Sequence, residues 1–142
     1  MKVYLDMCCF SRPFDDQTQL RIWLETQAKL FIQGQIAGGG YDLVWSYMLS
    51  YENSRNRRDD CRRQIQSWKQ RASEVIEESE GLLVRAEEIE GDGIGANDAV
   101  HIACAEISAC DYFLTTDRRL LGYKKANVRI VDPIRFIQDM EV

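Results

Sequence analysis

The sequence predicts an α/β fold in which a mostly parallel sheet is covered on both faces by helices. Two observations carry this. Short apolar, strand-like runs alternate with helical stretches along the whole chain, the pattern that β-α units produce. Two of those runs also end in an aspartate, Asp6 and Asp117, and open α/β sheets bind ligands at the carboxyl ends of their strands, where the strand order reverses.

The elements follow in order. Val3, Tyr4 and Leu5 form a strand that runs straight into Asp6. From Gln17 to Gln33 the residues Leu20, Trp23, Leu24, Ala28 and Phe31 recur at helical spacing, which predicts an amphipathic helix facing the core. Gly34 and the run Gly38, Gly39, Gly40 end it. YDLVWS, residues 41–46, is short and rich in β-formers, and reads as a strand followed by a helix starting near Ser46. Cys61, Ile65, Trp68, Ala72 and Val75 lie three and four apart, predicting one long helix with a narrow buried seam over 55–78. GLLVRA, residues 81–86, reads as a short strand, and the glycines at 91, 93 and 95 mark a loop before a helix over 97–109. YFLTT is an apolar run ending at Asp117, RRLLGYKK a short helix, VRIVDP a last strand stopped by Pro133, and 134–140 a closing helix.

Length and composition fit this plan. The chain has 142 residues, 45% of them hydrophobic, enough for one sizeable core, and shows no internal repeat, low-complexity segment or linker, so a single domain over 1–142 is expected. Eighteen basic against 23 acidic residues give a net charge of -5, which excludes a general electrostatic affinity for nucleic acid and leaves only a local patch. No stretch has the length of a membrane span, and the first ten residues lack the apolar run of a signal peptide; a cytoplasmic protein without membrane contact is expected. The five cysteines are an odd number, contain no CxxC pair and accompany one histidine, so reduced, packed thiols are expected rather than zinc ligands or disulfides.

Four carboxylates stand where such a sheet gathers its ligands. Asp6 and Asp117 end strands, Glu52 lies about two turns into the helix after YDLVWS, and Asp98 lies in the first turn of GIGANDAVHIACA, where the helix N-terminus favours an anion. Each alone reads equally as a turn former, cap or exposed helix residue. Two like charges about 6 Å apart repel by about 3 kcal/mol at an effective dielectric near 20, so four converging carboxylates call for a neutralising cation. An all-oxygen set suits Mg²⁺ or Mn²⁺, and such an ion can hold a phosphodiester oxygen and make a bound water reactive.

The order strand-Asp (YLDMCCFSRPFDD), helix-Glu (SYMLSYENS), helix-Asp (ANDAVHIACA) and strand-Asp (YFLTTDRRLL) resembles the PIN domain family of metal-dependent ribonucleases, from Val3 to about Val131. The resemblance implies a three-layer α/β/α sandwich and a Mg²⁺ or Mn²⁺ site made by Asp6, Glu52, Asp98 and Asp117. It implies an endoribonuclease that hydrolyses RNA with a metal-activated water, of the kind found as the toxin of a toxin-antitoxin pair, with a cognate antitoxin and a homodimer as partners. Many family members carry Thr or Ser after the first Asp, where this chain has Met7. Thr115 matches the hydroxyl often found two residues before the last Asp and is expected to support the site.

Arg55, Arg57, Arg58, Arg62 and Arg63 form the densest positive patch. They read as a solvated helix face or as contacts to RNA phosphates; Arg12, Arg118 and Arg119 flank the acidic edge as a second group. His101 reads as a packed helix residue or as a group orienting Asp98, and Cys8 and Cys9 as packing around the first loop. Other readings fail on single positions. A haloacid-dehalogenase-type phosphotransferase needs an Asp where Cys8 stands, a receiver domain needs a Lys after its last strand, and EGDGIGAND has no phosphate-binding Lys. The alternative of a different class is a protein that keeps the fold as a binding or regulatory partner with little catalysis.

Overall fold

The central strand β1 (Lys2–Leu5) is buried at Val3, Tyr4 and Leu5, so both faces of the sheet are covered. The computed structural model describes residues 1–141. After β1 come α1 (Met7–Ser11), a 3-10 turn at Arg12–Phe14, α2 (Leu20–Ala37), β2 (Asp42–Ser46), α3 (Tyr47–Ser54) and α4 (Asp59–Ser67). A second 3-10 turn (Trp68–Arg71) leads to β3 (Glu74–Ile76), followed by α5 (Glu80–Gly91), α6 (Ala96–Ile107), β4 (Tyr112–Leu114), α7 (Arg118–Leu121), β5 (Arg129–Val131) and α8 (Pro133–Met140). The five strands pair in the order β3-β2-β1-β4-β5, and every pairing is parallel. The order reverses beside β1, between it and β4, and Asp6 stands at the end of β1 with its N–H bonded to the carbonyl of Leu114 (2.9 Å).

The two-residue period of a strand decides which side chains share a face. Tyr4 is in register with Val44 and Phe113, and its ring stacks on Phe113 at 5.3 Å. Two residues further along each chain stand Asp6, Ser46 and Thr115, so β1, β2 and β4 deliver three polar groups to one edge. The opposite face carries Trp45, which packs edge-on against Phe10 of α1. No helix among the described residues is long and apolar enough to cross a membrane, and the five cysteines are free, all but Cys8 buried.

Three sequence expectations are corrected. The segment 55–78 is not one helix. Cys61 and Ile65 are the buried seam of the short α4, and beyond the 3-10 turn the β-branched Val75 and Ile76 form the edge strand β3 beside β2. GLLVRA is helix, not strand. Ser79 caps it by accepting from the N–H of Leu82, and Leu82, Ala86 and Ile89 bury one helical face. In α2 the apolar stripe points outward, with Leu20, Trp23, Leu24 and Phe31 exposed by 72%, 46%, 41% and 52%. Its inner face instead buries Thr26, Ala28, Ile32, Ile36 and the charged Glu25 and Lys29. Glu25 is matched by Arg12 Nε at 3.1 Å and Arg21 Nε at 3.4 Å. Lys29 lies 5.1 Å from the Phe10 ring centre and donates to the Phe10 carbonyl at 3.4 Å. With its amide turned so that the oxygen faces Lys29 and Trp68, Gln33 accepts from Lys29 Nζ at 2.6 Å and from Trp68 Nε1 at 2.9 Å. Against α8 the outer face of α2 forms an apolar groove of about 500 Å³ lined by Leu24, Phe31, Tyr41, Ile137 and Met140.

Candidate metal centre

Asp6 is the fixed point of the acidic edge. As the N-cap of α1 it has extended backbone, and its Oδ1 accepts from the N–H of Met7 at 2.8 Å. Its Oδ2 accepts from the Thr115 hydroxyl at 2.9 Å, and the same hydroxyl oxygen accepts the N–H of Asp117 at 3.1 Å. The carboxylate is buried at 7% exposure.

Glu52 arrives from α3, the helix that Ser46 caps at the end of β2. Its carboxylate is hydrogen-bonded to Nε2 of His101, a nitrogen that also lies 4.0 Å from Asp6 Oδ1. One ligand atom from each of Asp6, Glu52 and His101 falls within 4.8 Å of the others. Asp98, in the first turn of α6, belongs to the same electrostatic neighbourhood. Burial, then repulsion from Asp6 and further from Asp117 and Glu52, raises its pKa above the usual aspartate value against the attraction of His101. Asp117 caps α7 and accepts from the backbone and guanidinium of Arg119. Burial opposes its ionisation, but these bonds outweigh it and hold its pKa low. For His101 burial favours the neutral ring, yet the Glu52 hydrogen bond and the charges of Asp6, Glu52 and Asp98 push its pKa up.

These residues fit a divalent cation. Among the described residues no Lys or Arg forms an ion pair with Asp6, Glu52 or Asp98; His101 is the positive partner packed among them, and Arg119, bound to Asp117, feels the Asp98 charge from outside. Carboxylate oxygens dominate the donor set, as hard cations require.

Of the five predicted site residues the structure brings the Asp6 and Glu52 carboxylates together and bonds Thr115 to Asp6, whereas Asp98 and Asp117 lie outside that group of ligand atoms, Asp98 linked to it by charge and Asp117 through its N–H to Thr115; the basic candidates are more scattered. Arg55, Arg57 and Arg58 lie in the connection between α3 and α4 rather than on a long helix face. Arg12 is tied to Glu25, Asp15 and the hydroxyl of Thr116, Arg55 to the Tyr51 hydroxyl, and Arg58 to the Phe14 carbonyl and Asp60. Arg57 and Arg118 are exposed and have no such partner among the described residues.

Two contacts escaped sequence reasoning. His101 turns to Glu52 rather than to Asp98 three residues before it; both lie on α6, but the ring reaches across to α3. Cys8, read as loop packing, has its thiol 3.5 Å from both Asp6 Oδ2 and Thr115 Oγ1 and accepts the N–H of Thr116 at 3.3 Å. The only available signal was proximity in sequence to Asp6.

Comparison with known proteins agrees with this architecture. Residues 3–126 match the family model described as PIN domain. The fold is similar to that of a chain in the crystal structure of VapBC2 from Rickettsia felis bound to a DNA fragment from their promoter. The TM-score is 0.57 at 13% identity, over 93% of this chain and 98% of that one. No curated protein matches the chain.

Proposed function

The chain belongs to the PIN domain family, and from that premise we propose that it is a metal-dependent endoribonuclease, a single domain over 1–142 acting in the cytoplasm as the toxin of a toxin-antitoxin pair. The observation that carries the nuclease reading is the convergence of the Asp6 and Glu52 carboxylates with His101 at the switch point of a parallel sheet, with Asp98 close enough for its carboxyl to feel their charge.

In this reading Asp6, Glu52, Asp98 and Asp117 hold one or two Mg²⁺ or Mn²⁺ ions. When bound, the metal supplies a reactive water and offsets charge on the phosphodiester. The chain's own residues prepare the cradle. Thr115 and the Met7 N–H fix both oxygens of Asp6, and Asp98 keeps a carboxylate at the positive end of α6. Arg119 holds the Asp117 carboxylate in place beside α7. Arg57 and Arg118 supply unpaired guanidinium groups for RNA phosphates, while Arg12, Arg55 and Arg58 would have to leave internal partners to do so.

The toxin reading is supported by the family resemblance carried by the order of the four acids, by the likeness in fold to a chain of VapBC2 from Rickettsia felis bound to a promoter DNA fragment, and by the outward apolar face of α2. An exposed apolar surface of this kind suits a protein partner, and we assign it to a homodimer or a cognate antitoxin. The nuclease reading is tested with Asp6→Asn, which keeps the cap geometry. Mn²⁺-dependent cleavage of single-stranded RNA should fall about 100-fold or more with the circular dichroism spectrum unchanged; cleavage at the wild-type rate would overturn the assignment.

A further inference from the structure

We infer that Tyr4 and His101 are positioning residues which, through a buried hydroxyl–imidazole chain, aim the Glu52 carboxylate into the acidic cluster. The inference rests on the metal-site reading above and names residues outside the four acids. Glu52 is the member that needs such help. It has one more side-chain torsion than the aspartates, and its side chain is 27% exposed. Among the described residues His101 is its one side-chain hydrogen-bond partner. Asp6 is pinned through both oxygens and Asp117 by Arg119.

The hydrogens can be followed along the chain. Ser46 Oγ accepts the N–H of Leu49 at 3.2 Å and lies 2.6 Å from the Tyr4 hydroxyl. That hydroxyl lies 2.6 Å from Nδ1 of His101. With Ser46 donating to Tyr4 and Tyr4 donating to Nδ1, each group spends its hydrogen once, and the ring hydrogen must sit on Nε2, facing Glu52. The opposite tautomer would point a bare nitrogen lone pair at a carboxylate. Tyr4, Ser46 and His101 are each wholly buried, and a fully satisfied polar chain in a core holds its members in one arrangement. The chain also joins β1, the end of β2 and α6, so the geometry of Glu52 is set by the sheet and by α6 rather than by α3 alone.

The test measures Mn²⁺ affinity of the full chain by calorimetry and the nitrogen coupling of bound Mn²⁺ by pulsed electron paramagnetic resonance. His101→Leu should weaken Mn²⁺ binding about tenfold, the lower range for loss of a group that orients a metal ligand. Tyr4→Phe, which keeps ring and volume, should weaken it in the same direction by less, and His101→Gln, whose amide can still donate to Glu52, should recover part of the loss. Folded variants that bind Mn²⁺ as wild type does, while Asp6→Asn does not bind it, would overturn the positioning role and leave the metal site standing. Strong ¹⁴N coupling in the wild type would make His101 a ligand and likewise overturn it. A wild-type chain that binds no Mn²⁺ would remove the site and this inference together.

Discussion

The Thr115 hydroxyl donates to Asp6 Oδ2 at 2.9 Å although the two residues are 109 positions apart in sequence, tying the end of β4 to the end of β1. Because Thr115 Oγ1 also accepts the Asp117 N–H, one hydroxyl serves two of the four acids. Thr115→Val removes both bonds and leaves buried polar groups unmatched. Stability should fall by about 1–3 kcal/mol and Mn²⁺ binding should weaken, whereas Thr115→Ser should keep most of both. Denaturant melts paired with calorimetry check this.

Asp98 is expected to trade stability for function. Burial, followed by the charge of Asp6, raises its folded pKa above the unfolded value. The folded chain therefore holds more protons in the window between the two, and stability is lost as pH rises through it. At neutral pH the cost is fully present. Asp98→Asn should stabilise the metal-free protein by up to about 1 kcal/mol, after discounting for screening of a partly exposed carboxyl, while abolishing the rise in melting temperature on adding Mn²⁺. The check is a pair of melting curves with and without the ion.

Much of the fold was legible because the inner strands are continuous apolar runs ending at Asp or a turn, as in Val3–Leu5 and YFLTT. The edges were not. β3 is three residues long and its neighbours Trp68 and Ala72 continue the helical spacing of α4, so periodicity alone carried the helix too far. The run LLV in α5 suits a strand or a helix equally; the Ser79 cap and the spacing of Leu82, Ala86 and Ile89 decide it. In α2 the period revealed an apolar face but could not say what covers it. At the site, the order of acids came from motif resemblance, while the Glu52–His101 contact joins residues 49 apart and depends on how α3 and α6 pack.

The unpaired guanidinium groups give a salt-dependence prediction. Arg57 and Arg118 are exposed and have no internal partner among the described residues, so their removal should leave stability within about 0.5 kcal/mol. If both meet phosphates of single-stranded RNA, the double Ala variant should reduce the slope of log K against log salt by roughly 1.4, about 0.7 for each contact. Binding measured by fluorescence anisotropy over a salt series tests it, and an unchanged slope would return both residues to a solvated surface.

The outward face of α2 predicts association. Trp23 and Phe31 lie on that exposed face, and Phe31 lines the groove against α8, where charges would be repelled by an apolar partner surface but tolerated in water. The double variant Trp23→Glu, Phe31→Glu should fold with an unchanged spectrum and sediment as a monomer at concentrations where the wild type self-associates. A monomeric wild type would assign the face to an antitoxin rather than to a second copy.

Lys29 offers a pH prediction independent of the acidic edge. Burial, opposed by the nearby Cys9, lowers its pKa to about 7, whereas the unfolded chain titrates near about 10.4. Between those values the unfolded state binds the extra proton, so stability contributed by this site rises with pH from 7 toward 10. Below pH 7 both states carry the charge, and the folded one bears the full cost of burying it, softened by Phe10 and Gln33. Lys29→Met keeps the length of the side chain without the ammonium. It should stabilise the protein by about 1 kcal/mol or more at pH 6, in line with apolar replacement of buried ions, and the gain should shrink toward pH 10. Urea melts of both proteins at pH 6, 8 and 10 isolate the effect, because titrations common to both cancel in the difference; a gain that is constant with pH would show that the folded ammonium is not destabilised by its surroundings.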